Sequence, residues 1–197
     1  MSHLPSRWRC GDVAVALCEV AATDGGGRRC LAELLNRSEG EIRICRDSGR
    51  GKPSLAGLPG AVFNMAHRNG FSLIGAGWSG AIGVDLEALR PDLDTWEIAE
   101  ALFHPAEAAW LRALSPRQRC LGFTALWTIK EAMLKATGRG IAGGLQSPMV
   151  DGETLKPFLG EVCRMDLVRP EATVELRRGM IGDRSSVACV VRMCEQP

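Results

Sequence analysis

The heptapeptide Ala81-Ile-Gly-Val-Asp-Leu-Glu87 reads as a β-strand, and the rest of the chain arranges itself around it. Side chains of an extended segment alternate between faces, so Val84 and Leu86 point into a core while Asp85 and Glu87 share the opposite face. Two carboxylates side by side repel, and the buried neighbours anchor them there. Either they are solvated acids at a strand end, or a divalent cation neutralises them and they are metal ligands.

Upstream, VAVALCEV at 13–20 is a β-type run, and a glycine-rich break at 25–27 leads into a helical pattern over 28–37. EIRIC at 41–45 reads as another short strand. The segment RDSGRGKPSLAGLPG, 46–60, carries Gly and Pro that forbid regular structure over most of its length. VFNMAH and FSLIGAGW read as paired strands turning through Arg68-Asn69-Gly70. Downstream of Arg90-Pro91 the period changes. Helical patterns run over 94–103, 105–114 and 116–137, opened by Asp94, His104-Pro105 and Ser115-Pro116. LGEVCRMDLV, ATVELRR and SSVACVVRM return to strands. Strands, then helices, then strands give an α+β fold, not a βαβ alternation.

At 197 residues the chain is long enough for one large domain or two small ones, and could bury roughly 70% of its unfolded surface. It carries 24 basic against 23 acidic residues, so bulk charge suggests neither nucleic acid nor a membrane as partner. The eight cysteines form no CxxC pair and the chain opens without a signal peptide; reduced thiols in a cytoplasmic protein are expected. The uncharged stretch 70–84 is too short to span a bilayer and reads as a hairpin.

A GxGxxG pattern stands at Gly75-Ala-Gly77-Trp-Ser-Gly80. A dinucleotide site needs a helix N-terminus after it, whereas 81–84 reads as strand, so the fingerprint is set aside. In WTIKEAMLKATGRG, 127–140, Leu126, Ile129, Met133 and Ala136 form an apolar stripe, and Trp127, Glu131 and Lys135 line a neighbouring row. Alone, Glu131 and Lys135 are a surface ion pair worth about 0.3–0.5 kcal/mol. Beside Asp85 and Glu87, Glu131 completes an acidic oxygen cage and Lys135 holds an anion, a combination that suits Mg²⁺ and a phosphate-bearing substrate. Arg46, Arg50 and Lys52 form a basic loop that is either merely solvated or a source of further phosphate contacts. His67 lies at a strand end; with His3 and His104 it offers no zinc-hydrolase or triad spacing.

Read in order, GKP (51–53), FNMAH (63–67), GVDLE (83–87), FHPAE (103–107) and WTIKEAMLKATGRG (127–140) resemble the 4′-phosphopantetheinyl transferases of the larger, surfactin-synthase-activating type. The resemblance covers about 28–147. It implies a monomer of two similar α+β halves, 1–83 and 84–197, related by a pseudo-two-fold axis, with coenzyme A and Mg²⁺, or Mn²⁺ in its place, in the cleft between them. The implied reaction moves phosphopantetheine from coenzyme A to a serine of an apo acyl or peptidyl carrier protein, releasing adenosine 3′,5′-bisphosphate. By the family's pattern Asp85, Glu87 and Glu131 bind the metal. Lys135 contacts phosphate, and Lys52, Pro53, Ala66 and His67 hold the nucleotide end, His67 near its 3′-phosphate.

Phosphoryl transfer needs in-line positioning and charge neutralisation more than covalent help. Glu131 is the candidate general base; a metal-bound water relaying to Glu87 is the competing choice. Ala66 and Arg68 stand where the family usually or often carries serine, so a hydroxyl contact is lost or Arg68 replaces it with charge. The shorter N-terminal half leaves Arg28 or Arg29 as candidates for the family's basic residues there. Because carrier proteins are acidic, Arg112, Arg117 and Arg119 are candidate docking residues, set against an ordinary solvated surface. The rivals are a Mg²⁺-dependent nucleotide phosphohydrolase using the same acids and lysine, and a non-catalytic carrier-binding subunit, which would be expected to have lost acidic ligands.

Overall fold

The computed structural model describes residues 2–19, 26–46, 52–93, 95–139 and 144–193. The fold is α+β, as the pattern of elements predicts. One four-stranded antiparallel sheet comprises β1 (Arg7–Cys10), β2 (Val13–Cys18), β5 (Val62–Arg68) and β6 (Phe71–Gly77), in the order β1-β2-β6-β5. A second comprises β7 (Ala81–Ala88), β8 (Arg164–Val168), β9 (Ala172–Ile181) and β10 (Arg184–Met193), in the order β7-β10-β9-β8. A two-stranded ladder of β3 (Ile44–Cys45) and β4 (Ser54–Leu55) stands apart. The helices are α1 (Gly26–Leu35), α2 (Thr95–Leu102), α3 (Pro105–Ala113), α4 (Pro116–Thr137) and the single turn α5 (Lys156–Leu159).

Strand alternation builds the layers. Val13, Val15 and Leu73 from the first sheet meet Ile82, Val84, Leu86, Ala188 and Val190 from the second in one apolar core between the sheets. The outer face of the first sheet, through Phe63, Ile74 and Ala76, packs on Leu31, Ala32 and Leu35 of α1. The outer face of the second, through Val187, Cys189 and Val191, packs on α2, α3 and above all α4. The order of layers is therefore α1, sheet, sheet, helices. β5 and β7 are the rims of their sheets and lie side by side without a shared ladder. At that seam Asn64 Oδ1 accepts the Val84 N–H at 2.9 Å, which satisfies a donor the edge would otherwise leave buried and unpaired.

Two glycines set the spacing. A Cβ on Gly75 would lie 2.8 Å from Val84 Cγ1, so the sheets close only because β6 is bare there. This is the structural use of the GxGxxG stretch, and Gly80 (φ +71°) leads into β7 rather than a helix. A Cβ on Gly83 would lie 1.8 Å from the Ala132 carbonyl oxygen, so β7 and α4 touch backbone to backbone. Leu4 N–H and Met180 N–H donate to the Met180 and Ser2 carbonyls, tying the N-terminal segment to β9 beyond the end of β8.

The helices begin at Pro105 and Pro116 as expected, and α4 ends at Gly138, whose φ of 74° is the left-handed conformation that closes a helix. Asp94 lies outside the described residues. The strand expected over 41–45 is shorter: Glu39–Glu41 forms a 3₁₀ turn, and only Ile44–Cys45 pairs. The turn wins because Glu41 Oε2 accepts both the Ser38 N–H (2.8 Å) and the Ser38 hydroxyl (2.7 Å), a capping-box arrangement.

Candidate active site

The site lies where β7, α4 and the end of β5 meet. With Gly83 pressed against α4, the next residue on that face, Asp85, reaches Lys135 of the helix, and Glu87 follows it along the strand. Asp85 is buried and its Oδ1 accepts a 2.6 Å bond from Lys135 Nζ. Glu131 is also buried, whereas Glu87 is half-buried and paired with Arg68. Burial raises the proton affinity of all three acids. Asp85 adds to the rise at both Glu87 and Glu131, while Lys135 opposes it at Asp85. Three carboxylates that feel one another through a low-dielectric gap are costly unless a cation joins them.

Two oxygens, Asp85 Oδ2 and Glu131 Oε1, are buried without any hydrogen-bond partner. Such orphans are rare in native proteins and suit a hard cation in both charge and donor type. The expected three-acid cage is nevertheless not assembled as the side chains stand. Among the described residues no three Asp, Glu, His or Cys groups converge on one point closely enough to hold a metal. The reason is that Glu87 is turned onto Arg68 and half of the Asp85 carboxylate onto Lys135. The donor set therefore fits a cation at Asp85 and Glu131, with Glu87 held aside.

His67 is exposed, and its Nδ1 lies 2.8 Å from Ser72 Oγ. Partial desolvation of the ring lowers its proton affinity first, and the positive charges of Lys135 and Arg46 add to that. Lys52 is engaged instead with the protein: its ammonium donates to the carbonyls of Ile82 (3.0 Å) and Ala136 (2.9 Å), clamping β7 to the end of α4. Pro53 is half-buried beside it, and the Ala66 methyl is buried in the core between the sheets, so only neighbouring groups of β5 can face a ligand. Arg46 is exposed, and Arg50 lies outside the described residues.

Of the arginines considered for docking, Arg119 caps α3: it donates to the carbonyls of Leu111 (3.0 Å), Arg112 (3.2 Å) and Leu114 (3.1 Å). Arg112 lies over the Trp96 ring and Arg117 stays exposed at the start of α4. Arg29 pairs with Glu33 on α1. A cavity of ≈ 180 Å³ opens beside Glu87, floored by Phe123 and Trp127 and edged by Arg68, Thr95 and Thr124.

Two members of the quoted motifs have a role that sequence reading does not assign. Lys130 and Glu107 form a fully buried ion pair at 2.8 Å. Glu107 also accepts the His104 N–H (3.0 Å) and Val150 N–H (2.7 Å), while Lys130 donates to the Pro148 carbonyl (2.9 Å). Every charge there is answered, so the pair joins α3, α4 and the 148–150 segment. Its only advance signal was the spacing of Glu107 behind the helix-opening His104-Pro105.

Residues 81–181 match the model of the 4′-phosphopantetheinyl transferase superfamily, a span that holds β7, α4 and all three acids. The chain belongs to this superfamily. The 4′-phosphopantetheinyl transferase HetI of Nostoc sp. is 39% identical over 118 residues, 58% of this chain and 49% of that protein. AcpT of Salmonella typhimurium, a 4′-phosphopantetheinyl transferase, is 33% identical over 134 residues, 68% of each chain. Sfp of Bacillus subtilis, another, is 36% identical over 97 residues, 49% of this chain and 42% of that one. The match to most of these relatives spans about half their length. No described helix of this superfamily member is long and apolar enough to cross a membrane.

Proposed function

We propose that the protein is a Mg²⁺-dependent 4′-phosphopantetheinyl transferase acting on coenzyme A and an apo acyl or peptidyl carrier protein. The observation that carries this reading is the pair of buried, unpartnered oxygens, Asp85 Oδ2 and Glu131 Oε1, beside Lys135 on the residues the superfamily motif supplies. Asp85 and Glu131 would hold the cation, which neutralises charge on the phosphate oxygens when bound.

The chain's own groups would do the rest. The serine hydroxyl would lose its proton to Glu131, the α4 carboxylate of the site, with Glu87 as the competing acceptor. The serine oxygen bonds to the phosphorus that bears pantetheine, and the bond from that phosphorus to the bridging oxygen breaks. The bridging oxygen leaves with adenosine 3′,5′-bisphosphate. Lys135 faces the negative charge that grows in this step, and His67 with Arg46 favours the nucleotide's phosphates. The change of sheet between Gly77 and Ala81 supports two halves that divide a few residues ahead of the 83/84 boundary expected from the sequence, which would cut β7. The protein would remain a monomer with the site at the junction of these halves. The seven free thiols among the described residues suit a cytoplasmic setting.

The test is incubation with coenzyme A, Mg²⁺ and a panel of apo carriers, read by intact mass. A phosphopantetheine gain on the carrier serine, abolished in Asp85→Ala, is expected. Nucleotide breakdown without that gain would make the protein a phosphohydrolase.

A further inference from the structure

The three acids are not equivalent. Glu87 Oε2 accepts from Arg68 Nη2 across the two rims, joining the end of β5 to β7. The pair is partly shielded, with side-chain exposures of 38% for Arg68 and 18% for Glu87, so water screens it only in part. Arg68 Nε is buried with no partner, and both residues edge the cavity beside the site. Asp85 and Glu131 instead each keep a free buried oxygen.

We infer that Arg68 is a positioning residue that competes with the divalent cation for Glu87. This rests on the cation site proposed above. While the guanidinium holds Glu87, the cation has Asp85 and Glu131 alone. A competing anion at the guanidinium or a cation at the carboxylate can release the pair. Once released, Arg68 presents Nε and Nη2 as a two-pronged donor set suited to the oxygens of a phosphate. Metal entry at Glu87 and anion binding at Arg68 are thereby coupled, each freeing the partner the other needs.

Titration of the protein with Mn²⁺ alone, followed by the paramagnetic resonance signal of the free ion, tests this without any turnover. Asp85→Asn and Glu131→Gln are expected to weaken binding about 10-fold or more, and Glu87→Gln by less than about 2-fold, because Glu87 is already committed. Arg68→Ala is expected to tighten Mn²⁺ binding about 5-fold, and to do nothing in a Glu87→Gln background, the mark of a direct coupling rather than a general loss of positive charge. Circular dichroism checks that each variant is folded. Glu87→Gln weakening as strongly as Asp85→Asn, or Arg68→Ala giving no tightening or the same tightening in both backgrounds, overturns the competition. If Asp85→Asn and Glu131→Gln leave Mn²⁺ binding unchanged, the cation site itself is lost, and this inference with it.

Discussion

Two lysines on α4, five residues apart, each meet a carboxylate, and the surroundings give them opposite characters. Lys130 and Glu107 are sealed from water with every polar atom partnered; Lys135 and Asp85 sit one and a half turns on, with Lys135 partly exposed and an Asp85 oxygen left over. A complete buried network holds one geometry and binds nothing else. An incomplete one stores unfavourable charge that a ligand can relieve. The same helix thus carries a joint and a site, and what separates them is the count of satisfied oxygens.

The widest effect should come from removing what both regions share. Gly83→Ala drives a methyl into the Ala132 carbonyl, so β7 and α4 must part; a loss of more than about 4 kcal/mol in urea unfolding is expected, with transfer lost as well. Glu107→Ala strands the Lys130 charge inside and should cost about 3–5 kcal/mol. By contrast, Lys135→Ala should lower kcat about 100-fold while costing less stability than Glu107→Ala, because Asp85 can keep its proton once the ammonium is gone. If the two lysine sites prove equally costly in stability, the contrast between them fails.

The smallest expected change is a gain. Without metal, Glu131→Gln removes a charge that burial and Asp85 disfavour, so it should stabilise the protein at neutral pH by about 1 kcal/mol, some 2–4 °C in Tm. A carboxyl whose proton affinity is raised by folding contributes most below its unfolded value and loses that contribution as pH rises through the folded one. The advantage of the glutamine should accordingly vanish as pH falls toward the ordinary glutamate value of 4.5. Thermal unfolding at several pH values in chelator reads it.

The features legible in the sequence were those set by neighbours along the chain. Pro105, Pro116 and Gly138 bound helices, Asn69-Gly70 turns a hairpin with φ of 51° and 78°, and alternation in 81–87 sends Val84 and Leu86 inward. Of the motif residues, Lys135 meets Asp85 across α4 and β7. What stayed hidden depends on partners far along the chain. Nothing local to Lys52 says that its ammonium will be taken by Ile82 and Ala136, or that Arg68 will reach Glu87. Arg119 looked available for docking until the last carbonyls of α3 claimed it. β1 escaped notice because RWRC shows too short an alternation, and the Ser38/Glu41 box, which was readable, cut short the strand expected at 41–45.

The rims of β5 and β7 run side by side without a ladder, bridged among the described residues by the Asn64 amide and the Arg68 guanidinium. With no ladder across the seam, its cohesion falls to those two side-chain bridges and to the apolar core between the sheets, so a single side chain at either rim matters more there than it would inside a sheet.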